Sequence, residues 1–266
     1  MKSSEELRAS LRAIDRRSYP AYKSLAGSWS FGKYILHIEH VQGDPFAAPS
    51  QLSVDVDRRT AGFPAGCWET PWNRTALEDY LLRRFARQAE RFSRQARGSG
   101  KSGVLSVTAP GQEVLERTDC QVRSGAVTLR FEVGFPANGR TINARELEKI
   151  LFDFLPVCVE QGLLCASTPR GEVSQVMALA EDRHFIREEL ERLELAAFVA
   201  DGSVLPRESG VSDRPMDGAV PFRSPDAMAV TLALPHRGAV RGMGVRRGIT
   251  LIAGGGYHGK STLLKA

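Results

Sequence analysis

The sequence has no uninterrupted apolar run of about 18 residues, and its N-terminus is amphipathic and charged rather than apolar. A membrane-spanning helix needs such a run, and an export signal needs an apolar segment near the N-terminus. The sequence therefore predicts neither membrane insertion nor export. We expect a cytoplasmic protein with no membrane partner.

Cysteine is also scarce. The four cysteines, Cys67, Cys120, Cys158 and Cys165, form no C-x-x-C pair and have no histidine at metal-ligand spacing. Zinc binding and a disulfide framework are therefore unsupported, and reduced thiols are the simpler interpretation. The sequence shows no repeat of fixed period and no compositionally degenerate segment.

The composition is that of a soluble globular protein. Of the 266 residues, 42% are hydrophobic and 25% are charged. This length allows one large domain or two ordinary ones. The formal net charge is +5 and the isoelectric point is about 9.2, which favours contact with a polyanion more than an average composition does.

The pattern of apolar residues changes near residues 168–169, after which short strands surround a loop rich in Pro, Gly and Ser. We therefore predict an α+β N-terminal domain over residues 1–168. Residues 169–266 are predicted to form the opening strands and phosphate-binding loop of an α/β nucleotide-binding domain. The predicted helices cover residues 4–16, 75–97, 143–161 and 172–193. The predicted strands cover residues 34–41, 51–56, 104–107, 113–116, 119–123, 126–133, 196–200, 227–234 and 249–253.

The strongest motif is G-x-x-x-x-G-K-[ST], which follows the last predicted strand. Its glycines let backbone N–H groups turn towards phosphates, Lys260 reaches the β/γ oxygens, and the Ser261 hydroxyl holds Mg²⁺. A chance glycine turn is the alternative, and it explains this strand–loop–helix context poorly. We predict that the loop binds a nucleotide and Mg²⁺. The predicted binding residues are Gly254, Gly255, Gly256, Tyr257, His258, Gly259, Lys260, Ser261 and Thr262, with His258 facing either a phosphate or solvent.

A second Gly-Lys-Ser triplet at residues 100–102 lacks the rest of this pattern. Gln95 stands where the first glycine is required, and an arginine-rich helix precedes the triplet instead of a buried strand. We interpret residues 98–102 as a flexible linker and not as a phosphate site.

The arginine-rich helix and this linker carry a basic stripe. Such a stripe can neutralise several phosphates of RNA or DNA, although a solvated helix face is the alternative favoured by the apolar placement of Phe85 and Phe92. The candidate nucleic-acid contacts are Arg84, Arg87, Arg91, Arg94 and Lys101.

Two loops have unusual composition. Residues 42–50 place Asp44 and Phe46 beside prolines and between two predicted strands, and they predict a ligand-contacting or interdomain loop or an ordinary turn. No nucleophile paired with a base is evident near His37 and His40. Residues 205–216 present arginines and serines that suit either phosphate contacts or a polar surface.

Together, residues 40–50, 197–216 and 254–264 resemble the predicted ATPases of the ABC class, which carry their own N-terminal domain before an ABC-type nucleotide-binding domain. The resemblance runs from about residue 7 to the last residue. It implies ATP hydrolysis used to open and close a dimer, and hence a homodimer as partner. Some relatives are associated with RNA-processing assemblies, which adds weight to RNA binding by analogy.

The resemblance also implies that the Mg²⁺ carboxylate, the glutamine loop and the serine-glycine signature lie beyond Ala266. We therefore expect an N-terminal fragment of an ATPase, without catalytic residues of its own and with little turnover alone. Two other functions stay open: an RNA- or DNA-binding module regulated by the ATPase, and an interaction scaffold that dimerises or positions it.

Overall fold

The computed structural model describes residues 1–123, 125–212, 214–256 and 258–265. The chain forms two compact units, Met1–Val173 and Ser174–Ala266. The helices are α1 (Ser4–Ala13), α2 (Arg58–Ala61), α3 (Pro71–Phe92), α4 (Ala144–Glu148), α5 (Leu155–Leu163), α6 (Glu172–Arg192) and α7 (Lys260–Lys265). None of the helices in these residues is long and apolar enough to cross a membrane.

The first unit is built on a seven-stranded sheet with the order β1-β2-β3-β4-β7-β5, and β6 also pairs with β7. Its strands are β1 (Lys2–Ser3), β2 (Gly27–Ser30), β3 (Ile35–His40), β4 (Ser50–Asp57), β5 (Leu105–Ser106), β6 (Cys120–Val122) and β7 (Ala126–Val133). Alternate residues of β4 and β7 point into the core, where Leu52, Val54, Leu129 and Phe131 are buried. This period of two is what places one face of a sheet against helices.

The two longest helical segments of this unit pack on each other. Lys149–Phe154 forms a π-helical segment that joins α4 to α5. Gly162 permits the close approach of α5 to α3, because a Cβ at this position would lie 3.0 Å from the Phe85 Cα atom. Phe85 is fully buried, and Phe92 stacks on Phe154 with ring centroids 4.7 Å apart. Phe85 therefore lies in the core, as predicted, whereas Phe92 is only half-buried.

The second unit contains a three-stranded antiparallel sheet with the order β10-β12-β11. A short hairpin in the first unit, β8 (Ala137–Asn138) and β9 (Thr141–Ile142), precedes these strands in the chain. The three strands are β10 (Leu195–Ala200), β11 (Ala229–Leu234) and β12 (Gly238–Arg246). Gly242 lies in the central strand, where a Cβ would approach the Phe198 ring to 2.6 Å.

Most predicted elements are confirmed within a few residues, and three are corrected. The helix predicted at 75–97 begins earlier, at Pro71, because Thr70 caps it, and it ends at Phe92. Residues 113–116 are not a strand, and the structure adds the strand β12, whose glycines weaken its sequence signal. Residues 249–253 are not a strand either. Among the described residues no strand pairs with them, and Ile249 and Leu251 are exposed.

Candidate nucleotide site

The predicted phosphate loop, residues 254–262, leads into α7 and is largely exposed. Gly259 lies in the left-handed backbone region with φ +75° and has open space where a side chain would be. Only glycine adopts this conformation without strain. The chain can therefore turn sharply at Gly259 and enter α7 at Lys260.

Lys260 folds back over the loop. Its Nζ atom donates hydrogen bonds to the carbonyl oxygens of Gly254, at 2.6 Å, and Gly255, at 2.5 Å. The ammonium group is thus held at the mouth of the glycine turn. A phosphate placed there would offer it charged acceptors in place of neutral carbonyls, and charge-assisted hydrogen bonds are about twice as strong as neutral ones.

The His258 side chain accepts a hydrogen bond from the backbone of its own loop. Its Nδ1 atom accepts the Gly255 N–H at 3.2 Å, and a Cβ on Gly255 would lie 3.0 Å from the His258 Cε1 atom. The imidazole therefore covers one backbone N–H that a phosphate would otherwise use. The sequence predicted that the His258 side chain faces either a phosphate or solvent, and it did not predict this hydrogen bond to Gly255.

The remaining predicted site residues follow at the start of α7. Ser261 is exposed and Thr262 is half-buried, so the Ser261 hydroxyl is available to a ligand. Gly256 has nothing near its Cβ position. Tyr257 lies outside the described residues.

The other Gly-Lys-Ser triplet, which we interpreted as a flexible linker, is packed against the first unit. Ser102 is 7% exposed, and its hydroxyl donates to Ser99 O and accepts the Ala137 N–H at 3.1 Å. The backbone around it is hydrogen-bonded to Pro45 O and to Gly134 O, at 2.8 and 2.9 Å. Residues 98–103, the first Gly-Lys-Ser loop, therefore form a packed part of the first unit.

The predicted basic stripe is only partly on the surface. Arg84 is 6% exposed and donates to Ser167 O and to Thr168 Oγ1, so it anchors the end of the first unit instead of facing solvent. Arg94 lies beyond the end of α3 and has φ +63°. Arg87 and Arg91 are exposed on α3.

The last basic residues of the stripe lie close together. Arg94 and Lys101, with Arg97 between them, line a hollow of about 340 Å³ on the first Gly-Lys-Ser loop. Arg97 belongs to the predicted stripe but was not among its candidate contacts. Its backbone N–H is held by Glu146 Oε2 at 2.9 Å, so a packed loop supports these cations.

The structure also brings together a hydroxyl, an imidazole and a carboxylate that the sequence did not reveal. Ser28 Oγ lies 2.8 Å from His37 Nδ1, and His37 Nε2 lies 3.0 Å from Asp55 Oδ2. The three residues stand on β2, β3 and β4, and Asp55 Oδ1 also accepts from Thr128 Oγ1. Acyl transfer also needs N–H donors aimed at an oxyanion, whereas strand N–H groups here bond to neighbouring strands. We interpret the group as a polar row across the sheet.

The two loops of unusual composition have local partners. In residues 42–50 the buried Gln42 accepts the Phe135 N–H, and Asp44 pairs with Arg140 at 3.0 Å. In residues 205–216 the backbone forms a small hairpin, with Arg207 opposite Pro215. Contacts of either loop with a ligand stay predictions.

Comparison with known families gives two matches that together span the chain. The model for the N-terminal domain of ATPases of the ABC class matches residues 4–166. The ABC-ATPase P-loop domain model matches residues 169–266. A search of curated proteins finds no match.

Proposed function

Because the chain belongs to the ABC-class ATPases, we propose that residues 254–262 bind ATP together with Mg²⁺. The observation that carries this proposal is the position of Lys260, whose ammonium group lies over the glycine turn. A lysine held at the mouth of such a turn is placed to exchange carbonyl partners for phosphate oxygens.

The residues present fit the ligand. Gly259 supplies the left-handed turn, Lys260 the cation and Ser261 the hydroxyl, all at the start of one helix. Mg²⁺ would neutralise phosphate charge and would be held by Ser261 and the phosphates. Among the described residues, no group of three or more His, Cys, Asp or Glu side chains is placed to hold a metal. The proposed activity of these residues is nucleotide binding.

The chain offers a matched control for this proposal, because Lys101 stands in the other Gly-Lys-Ser triplet. We expect Lys260→Ala to weaken ATP binding at least tenfold and Lys101→Ala to leave it unchanged, measured by calorimetry on the full chain with Mg²⁺. Ser261→Ala should reduce the gain in affinity that Mg²⁺ provides. Equal affinity in the wild type and in Lys260→Ala would contradict the proposal.

We propose nucleic-acid binding as a second function, supported by the cations gathered on the first Gly-Lys-Ser loop. Arg87 and Arg91 would extend this surface along α3, whereas Arg84 is excluded by its burial. Each phosphate contact to a single strand contributes about −0.7 to the slope of log K against log salt concentration. Removal of four contacts should therefore flatten that slope by about 3.

The test is the salt dependence of binding to a single-stranded RNA oligonucleotide. The variant exchanges Arg87, Arg91, Arg94 and Lys101 for Gln. The control variant removes the same charge from exposed arginines elsewhere, namely Arg59, Arg170, Arg183 and Arg187. Equal affinity and equal slope in both variants would exclude this surface. Concentration-dependent self-association without any RNA affinity would favour the scaffold alternative.

A further inference from the structure

A polar cleft lies in the first unit where α2, the segment before α3, the first turns of α3 and β6 meet. Its volume is about 520 Å³, within the range of roughly 300–1,000 Å³ that is typical of small-molecule sites. We term it the Arg–Trp cleft. Its main lining residues are Arg58, Trp68, Arg74, Glu78, Gln121 and Arg123.

One wall of the cleft is a planar platform. The Arg58 guanidinium carbon lies 4.2 Å from the centroid of the Trp68 ring. Both side chains are half-buried, so the pair is supported by the fold and still reaches the cleft. Aromatic rings and guanidinium planes are the surfaces on which nucleotide bases stack in proteins. The platform therefore favours a ligand with a flat ring.

Two further arginines supply donors for an anion. Among the described residues, neither Arg74 nor Arg123 forms an ion pair with a carboxylate. Arg123 Nη2 donates to Gln121 Oε1 at 3.0 Å, which orients this guanidinium at the cleft. Guanidinium groups bind phosphate oxygens in pairs of parallel hydrogen bonds. The two arginines therefore suit a phosphate monoester.

The acidic residues of the cleft do not cancel this charge. Glu78 is buried, and its Oε1 atom accepts the Val122 N–H at 2.7 Å, which ties α3 to β6 at the cleft floor. Burial raises the pKa of the Glu78 carboxyl, against the effect of this hydrogen bond and of Arg74. Glu116 is exposed at the cleft. Three arginines thus face two glutamates, one of which is already engaged.

We propose that the Arg–Trp cleft binds a nucleoside monophosphate, with the base stacked on Arg58 and Trp68 and the phosphate held by Arg74 and Arg123. The site would be a second nucleotide site, carried by the N-terminal unit and independent of the phosphate loop. A regulatory nucleotide bound there would differ from the ATP proposed for residues 254–262 by its single phosphate.

The test is calorimetric titration of the full chain with AMP, with Lys260→Ala in every protein so that the phosphate loop does not contribute. We expect AMP to bind, and the pair Arg74→Gln and Arg123→Gln to weaken binding at least tenfold. Trp68→Ala should weaken it, and Trp68→Phe should retain it because a flat ring remains. Arg170→Gln, an exposed arginine of the first unit that does not line the cleft, is the matched control and should have no effect.

Four outcomes would overturn the proposal. The first is no AMP binding at millimolar concentration, and the second is unchanged binding in the Arg74/Arg123 variant. The third is inorganic phosphate binding as tightly as AMP with no effect of Trp68→Ala, which would leave an anion site without ring recognition. A single-stranded oligonucleotide that binds where AMP does not would also overturn it, in favour of nucleic acid. Thermal unfolding of each variant shows whether it is folded.

Discussion

The chain contains Gly-Lys-Ser twice, and the two copies lie in opposite environments. In the first Gly-Lys-Ser loop the serine is buried and its hydroxyl is used by the fold. In the phosphate loop the equivalent Ser261 is exposed, and Lys260 donates to carbonyls of its own loop. The same three residues therefore serve packing in one place and are free for a ligand in the other.

The glycines differ in the same way. In the first loop a Cβ on Gly100 would lie 2.5 Å from Pro45 O, so the absence of a side chain is needed for packing. In the phosphate loop Gly256 and Gly259 have open space at the Cβ position. Glycines that are not needed for packing, next to an ammonium group, are what a ligand-binding turn requires. The environment, rather than the triplet, distinguishes the two loops.

The largest expected difference comes from alanine at one glycine of each loop. Gly103 has φ +75°, and a Cβ there would overlap Ala96 O. Gly103→Ala should therefore lower the free energy of unfolding by about 3 kcal/mol or more. Gly256→Ala meets no atom and should change it by less than about 0.5 kcal/mol. Denaturant unfolding followed by circular dichroism measures both. Similar losses in the two variants would remove the contrast between the loops.

A smaller difference is expected from the two serines. Ser102→Ala leaves the buried Ala137 N–H without its acceptor, which should cost about 1–3 kcal/mol of stability. Ser261→Ala should leave stability unchanged and reduce Mg²⁺-dependent ATP affinity. Ser99→Ala is the internal control. The Ser99 hydroxyl accepts a hydrogen bond from the exposed Gly139 N–H, so its removal should lower the stability less. A stability loss in Ser261→Ala equal to that in Ser102→Ala would contradict this assignment.

The sequence predicted the elements whose signals are local. The helix cap at Ser3 and the helical spacing of apolar residues predict α1. The alternation of apolar and polar residues predicts β3 and β4. The sequence-based prediction failed where pairing with another strand decides the structure. Residues 249–253 have strand-like composition and no pairing strand among the described residues, whereas β12 has a weak composition and pairs on both sides.

The candidate site was predictable in its motif and not in its contacts. The spacing of the glycines, Lys260 and Ser261 is a local signal, and it was enough to predict the motif. The burial of Arg84 could not be predicted in this way, because it depends on Ser167 and Thr168, more than 80 residues away in the chain. The stacking of Arg58 on Trp68 likewise follows no helical or strand period, so no local signal could have found it.

The smallest expected effect concerns His258, which gives the phosphate loop an internal acceptor that a ligand must displace. His258→Ala frees the Gly255 N–H, and an exposed neutral hydrogen bond is worth about 0.5 kcal/mol net. ATP affinity should therefore rise about twofold, measured by the same titration with His40→Ala, an exposed histidine of the first unit, as control. Loss of affinity would instead mean that the imidazole contacts the phosphate.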